Sequence, residues 1–340
     1  MRNNTLSKIA LCVLSVVLCF SAIAADTGSL NILCKPGIQI YLDGELSGIT
    51  TSEEEGGLLL ESIAVGEHKI RGGESIPQEF GVLIRAGETR KIRLGKDGAP
   101  MVLIPAGEFQ MGTDPAEIPE LVQQSGGNAP WFEHETPRHT VYVDAFYMDV
   151  YEVTNAQYEA FIDATGHSAP GFWHDTRYNA PEQPVVGVRN HDAVIFARLA
   201  GKRLPTEAEW EKAARGGLVG KRYPWGDDVS HDDANYSGTG GKDVWSSTSP
   251  VGSFAPNGYG LYDMGGNVWE WCADWYFSLY YASSPPNNPL GPMVPNSGLS
   301  RVLRGGCWHS SPNILRVAIR EKAHPTETTN HIGFRCVSQD

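Results

Sequence analysis

Cysteine is scarce here, with 6 in 340 residues, and two of these, Cys12 and Cys19, fall in the first twenty positions. The remaining four, Cys34, Cys272, Cys307 and Cys336, are too widely spaced for a locally formed CxxC-type zinc site or a dense disulfide framework. Export would permit disulfides among them, but spacing does not give their pairing. Long apolar runs are also missing. The single candidate, Ile9 to Phe20, is too short to cross a bilayer, which needs about 20 residues. With Arg2 and Lys8 before it and Ala22-Ile-Ala24 after it, the segment 1–24 reads as a cleaved export signal, placing the mature chain in the periplasm or outside the cell without a transmembrane segment. A lipid anchor on Cys19 is disfavoured by the bulky Leu18 before it. Positive charge is in short supply too. Removing Arg2 and Lys8 leaves 27 − 2 = 25 basic against 40 acidic residues, a net charge of −15, which argues against nucleic acid or an anionic membrane as partner.

Turn formers and aromatics are plentiful: 38 Gly, 22 Pro and ten per cent aromatic residues point to a loop-rich chain of two domains. Residues 28–95 carry short apolar runs (Leu30 to Leu33, Ile38 to Leu42, Leu58 to Leu60, Phe80 to Ile84, Lys91 to Leu94). Pro36-Gly37, Asp43-Gly44, Gly72-Gly73 and Ala86-Gly87 separate them, which predicts a small β-sandwich. Tyr41-Leu42-Asp43-Gly44 and Val65 to Ile70 resemble the PEGA-type surface modules of bacterial exported proteins, which implies an interaction or spacer role. Residues 96–100 form a linker, and the second domain spans 101–340. Thr154 to Gln157 and Thr206 to Glu209 are capping boxes that open two helices, closed by Gly166 and Gly216-Gly217. A third helix is expected over Asp192 to Ala200, stopped by Gly201.

The run from Gly258 to Trp275 packs tryptophans, tyrosines, glycines and acids together. If Val268 to Cys272 is extended, Trp269 and Trp271 share one face and Glu270 takes the other. A carboxylate in such surroundings needs a partner: either calcium, with Asp263 seven residues upstream as a second hard oxygen donor, or an arginine such as Arg304 or Arg316. The residues alone leave both open. His134-Glu-Thr-Pro-Arg-His139 fails as a zinc motif, because its histidines are five apart and Pro137 breaks the helix. It predicts a turn into a strand over Thr140 to Phe146.

Met101 to Gly112, Val143 to Asn155, Gly201 to Trp210, Tyr223 to Gly226, Asn257 to Trp271, Leu303 to Gly306 and Gly333 to Cys336 occur in an order that resembles the formylglycine-generating enzyme (sulfatase-modifying factor) family. The resemblance implies an α+β fold similar to an elaborated C-type lectin domain, with low regular secondary structure and structural calcium. Carried over residue by residue, one calcium site takes Asn235, the Tyr236 backbone, Asp243 and the Trp245 backbone. The other takes Asp263, the Gly266 and Val268 backbones, and Glu270.

The family's copper-binding cysteine pair, five positions apart after the Arg-Gly-Gly turn, has no counterpart in Arg304 to Arg320. Copper is therefore not expected. The family's disulfide partner for Cys336 is replaced by Ala197, leaving Cys336 free or paired otherwise, for example with Cys272. Cys307 and His309 are the candidate catalytic pair if 307–309 is extended. Trp269, Trp308, Arg316, Arg320, His324 and His331 are candidate groove residues, and Glu321 with His324 and His331 is the alternative source of a redox-metal site. Three functions compete: an accessory or maturation factor acting on a polypeptide by a non-copper route, a calcium-stabilised binding module for a protein or glycan, and a rearranged formylglycine-generating oxidase. The last would need Cys307 paired with Cys336 or Cys272.

Overall fold

The structure, a computed structural model, describes residues 27–339 except 73–77, 96, 126 and 295–297; the expected leader at 1–24 lies outside the described residues. Seven strands come first: β1 (Thr27–Leu33), β2 (Gln39–Leu42), β3 (Glu45–Ile49), β4 (Leu58–Ala64), β5 (Gly66–Gly72), β6 (Gln78–Ile84) and β7 (Thr89–Leu94). In β1 alternate residues are buried, Leu30 and Ile32 fully, as a strand with one covered face requires. Asp43 and Gly44, both at positive φ, turn β2 directly into β3, a strand the apolar runs did not announce. Leu30, Ile32 and Ile92 pack against Ile40, Ile70 and Val82 in one cluster, joining two sheets.

Nine further strands follow: β8 (Pro100–Ile104), β9 (Gly107–Met111), β10 (His139–Val143), β11 (Phe146–Asp149), β12 (Trp269–Trp275), β13 (Arg301–Arg304), β14 (Glu321–Ala323), β15 (Ile332–Gly333) and β16 (Val337–Ser338). A six-stranded sheet in the order β16-β11-β8-β7-β1-β4 runs through the expected boundary, with Arg93 opposite Met101 and Leu94 opposite Pro100. The expected linker is thus only a short connection between two paired strands, and Pro100, read as its last residue, is the first residue of β8. Lys202 fixes that connection: its Nζ lies 2.8 Å from Asp97 Oδ1 and 2.7 Å from Asp149 Oδ1, with all three side chains buried.

Four helices are present among the described residues: α1 (Ile118–Ser125), α2 (Asn155–Thr165), α3 (Asn190–Leu199) and α4 (Glu207–Ala214). Both expected capping boxes form, and Gly166 closes α2 at φ 68°. α3 starts two residues earlier than Asp192, and α1 lies in a stretch without a clear start signal. No helix among the described residues is long and apolar enough to cross a membrane.

Every residue of α4 is buried, including Glu207, Glu209, Glu211 and Lys212. Arg304 Nη2 donates to Glu211 at 2.6 Å and Nη1 to Glu207 at 3.1 Å, Arg215 Nη2 donates to Glu211 at 2.6 Å, and Arg320 forks onto Glu207 at 2.6 and 2.8 Å. Burial pushes the Glu211 carboxyl up, but Arg215 and Arg304 outweigh it and hold it below the usual range. Between Ala214 and Trp269 there is no helix or strand. Side-chain amides fasten that stretch instead: Asn257 Nδ2 donates to Ala213 O and Ala214 O while its Oδ1 accepts from Tyr259 N and Leu261 N.

Cys272, Cys307 and Cys336 are buried free thiols, so the suggested Cys336–Cys272 bond does not form. The reason is geometric: Cys272 faces the cluster of Met264 and Trp210, whereas Cys336 faces that of Phe334 and Trp271.

Two stability predictions follow from buried charge. Lys202→Met leaves Asp97 and Asp149 without their cation, and urea unfolding should show a loss of about 3–5 kcal/mol; a loss below about 1 kcal/mol would remove Lys202 as the clasp. Asp274, which accepts from Glu207 N at 2.8 Å, is raised to about 8 by burial and then by Glu207. The folded state therefore keeps a proton that the unfolded chain releases above about pH 4, so stability falls as pH rises from about 4 to 8. Asp274→Asn retains an oxygen acceptor and should flatten that slope while raising the melting temperature near pH 8. An unaltered slope would show that another group is responsible.

Candidate functional site

β12 sends Trp269 and Trp271 into one cluster and places Glu270 between other partners. Arg335 Nε and Nη2 donate to Glu270 at 2.7–2.9 Å, and Trp210 Nε1 donates to its Oε2 at 2.8 Å. Neither arginine expected for Glu270 is its partner. Arg304 sits directly across the ladder, but α4 presents two carboxylates to it. Arg316 instead forks onto buried Glu135 at 2.7 and 2.8 Å. Arg316 and Arg320 are each buried and committed to a carboxylate, and Arg316 also lines a cavity with Gln124, Arg222 and Val317. Trp269 is buried as well. Glu135 belongs to the expected turn after His134, and the following strand starts at His139.

Arg335 serves more than one acid. Asp263 is buried, accepts from Gly252 N at 2.7 Å, and is raised to about 6 chiefly by burial. Glu152, missed in the sequence although it lies in the Tyr-Glu-Val-Thr-Asn run, accepts from Asn267 Nδ2 at 2.7 Å and Val268 N at 3.3 Å. Burial and then Asp263 and Glu270 push its carboxyl well up. These three acids electrostatically share one guanidinium. Asp263, Gly266 and Asn267 all have positive φ, and a Cβ on Gly266 would meet Asn235 O at 2.3 Å. That close approach brings the two expected calcium loops together. Asn267 N donates to Asn235 O at 2.9 Å.

In the other loop Asp243 is fully buried and accepts from Tyr236 N at 3.2 Å, Trp245 N at 3.3 Å and His231 Nδ1 at 3.1 Å. Asn235 Oδ1 is buried without a hydrogen-bond donor. Among the described residues no three His, Cys, Asp or Glu side chains converge as a metal cluster, so a cation at either loop would need amide and main-chain oxygens as well.

The expected Cys307–His309 pair does not assemble. Residues 307–310 form a turn, closed by Ser310 N donating to Cys307 O at 2.8 Å, so the two side chains diverge. Cys307 points into the core beside Ser310 Oγ at 3.3 Å, its thiol pushed up by burial, whereas His309 is exposed. His309 instead meets the rings of Trp308, at 4.8 Å, and His331, at 4.7 Å. His324 turns aside to Thr326 Oγ1 at 2.7 Å, and Glu321 is exposed on β14, so neither joins His331 in a metal site.

His331 is held by a relay. Asn330 Nδ2 donates to Tyr178 OH at 2.7 Å, which orients its Oδ1 towards His331 Nδ1 at 3.0 Å. Nδ1 therefore carries the proton, and Nε2 is left with a lone pair that no hydrogen bond occupies among the described residues. Burial, and then His309, lower His331 to about 4. Trp308 Nε1 donates to Asn330 O at 3.2 Å and its ring lies 6.1 Å from Tyr178, completing an aromatic wall. Tyr178 and Asn330 were not singled out in the sequence because neither stands in a spaced motif.

This architecture has known counterparts. The family model described as the sulfatase-modifying factor enzyme 1-like domain matches residues 90–340. A formylglycine-generating enzyme from Thermomonospora curvata is 39% identical over 293 residues, covering 70% of this chain and 93% of its own length. Among solved structures, PvdO from Pseudomonas aeruginosa is similar at 32% identity and a TM-score of 0.60, covering 72% of this chain and 96% of its own. Treponema denticola variable protein 1 follows at 25% identity and a TM-score of 0.58, covering 71% and 95%. With the matched region reaching from β7 to the C-terminal strand, the chain belongs to the sulfatase-modifying factor family.

Proposed function

We propose that the chain is an exported maturation factor that acts on a polypeptide through the Trp308, His309 and His331 surface and not through a thiol pair. The observation that carries this reading is the Tyr178–Asn330–His331 relay, which leaves an unprotonated imidazole nitrogen at an aromatic surface. At neutral pH such a nitrogen is unprotonated and can accept a hydrogen bond from a bound side chain, although burial, which lowers His331 to about 4, makes it a weak base. The thiols offer no comparable group: burial raises Cys272, Cys307 and Cys336 alike. Formylglycine generation, the activity named for the Thermomonospora relative, is therefore not carried over. Residues 27–94 would serve as a contact or spacer module.

A second reading, a binding module without chemistry, draws support from the likeness to the Treponema variable protein. Intact masses of exported polypeptides from cells with and without the gene separate the two. A mass difference should be restored by Cys307→Ser and not by His331→Ala. Absence of any difference would favour the binding module, and dependence on Cys307 would overturn the proposed site. Purified protein should also show no oxygen uptake with a cysteine-containing sulfatase peptide and a thiol reductant.

We also propose structural calcium at the two facing loops. Buried Asn235 Oδ1 without a donor, and three acids around one arginine, fit a hard cation held with main-chain oxygens. Calcium would neutralise those acids and fix the loops between α4 and β12. Calcium at 100 times Kd should stabilise the fold by about 2.7 kcal/mol for each site over the chelated protein. Asn235→Ala should weaken calcium binding in a direct titration. Identical melting curves in calcium and chelator, with no calcium retained on purification, would count against both sites.

A further inference from the structure

A cavity of about 590 Å³ lies away from the His331 surface, between one face of α3, the end of β10 and the far ends of β12 and β13. β12 separates the two places: Trp269 N donates to His331 O, whereas Ala273, four residues on and roughly 13 Å along the strand, lines the cavity. Its walls hold two buried donors without acceptors, Asn190 Nδ2 and Arg301 Nε. Asn190 is only 5% exposed. Native interiors rarely leave such donors unmet, so each marks a place where an acceptor belongs.

Arg301 is pre-set for that acceptor. Its guanidinium lies 3.6 Å over the Trp275 ring, and Nη1 donates to Ala273 O, which fixes the plane, while the buried Nε has no acceptor. A planar, anchored guanidinium edge suits a carboxylate. The acids in the wall are already engaged: Glu209 accepts the fork of Arg203, and Asp144 accepts from Asn288 Nδ2 at 2.8 Å. Asp274, the carboxyl acting on Arg301, is largely protonated at neutral pH because burial raises it. Arg198, exposed on the same α3 face, has no carboxylate partner among the described residues. The local balance is therefore positive in a chain of net charge −13. The remaining wall mixes polar Thr206, Asn288 and Gln339 with an apolar part that includes Val194, Leu204 and the 69% exposed Leu290.

We propose that this cavity is a binding site for a ligand with a carboxylate joined to an apolar body, the carboxylate on Arg301 and Asn190 and the body against Val194, Leu204 and Leu290. A polypeptide C-terminus and a free aliphatic acid share that chemistry. Calorimetric titration of the full chain with N-acetyl-Phe-Leu, its C-terminal amide and octanoate distinguishes them. The expected result is a Kd below about 1 mM for at least one free acid and binding about tenfold weaker for the amide. Preference for the dipeptide acid assigns a chain terminus, and preference for octanoate a free acid.

Arg301→Gln should weaken the acid about tenfold. Asn190→Asp, nearly isosteric and favourable in the first turn of a helix, should do the same by repulsion without loss of fold. Leu290→Glu tests the apolar rim at a position too exposed to affect folding. Absence of binding by either acid, equal binding of acid and amide, or full affinity in Asn190→Asp would overturn the assignment.

Discussion

A helix with charged side chains and no exposed face constrains almost everything around it. Glu207 and Glu211 on α4 are buried, and Arg215, Arg304 and Arg320 reach them from three places in the chain. Removing one partner of such a network exposes the full desolvation cost of the other, so the C-terminal hundred residues, poor in regular structure, are nonetheless obliged to adopt one path. Tyr281 packs into the same network, its hydroxyl 3.2 Å from Glu207 and its ring 4.2 Å under Arg320. Loop conformation here is set by where each guanidinium must end.

That logic explains which parts were readable beforehand. Capping boxes are local, so Thr154, Gln157, Thr206 and Glu209 announced α2 and α4, and a short apolar run before the Pro36-Gly37 turn announced β1. Ion pairing is not local. Glu270 clearly needed a partner, but its actual one, Arg335, is 65 residues away and was outcompeted in the sequence by nearer arginines with their own acids. The same holds for Glu152, whose bonds to Asn267 and Val268 span 115 and 116 residues. For the working surface, spacing was misleading: Cys307 and His309 face one way only in an extended chain, and the Ser310 turn separates them. His331 was visible as a candidate, while the groups that orient it were not, since a relay through Tyr178 and Asn330 leaves no periodic trace.

The family resemblance and the bottom-up reading meet at the two loops around Asn235 and Asp263. Positive φ at Gly266 and Asn267 turns one loop against the other, and the glycine is required because a side chain would strike Asn235 O. Acids, amides and tight backbone turns are thus concentrated at a single contact, which is where the long stretch after α4 is returned to the core strand β12.

The continuous sheet from β4 to β16 has a consequence for how such a protein can be divided or inherited. Without β7, β8 would present a bare row of main-chain donors and acceptors, the kind of edge that recruits a second copy. The matched family region itself begins at residue 90, so nearly all of β7, which covers β8, falls within it, while β7 also pairs with β1 before it. Shortening the chain at the visible Gly-Ala-Pro break would separate β8 from the strand that covers its edge.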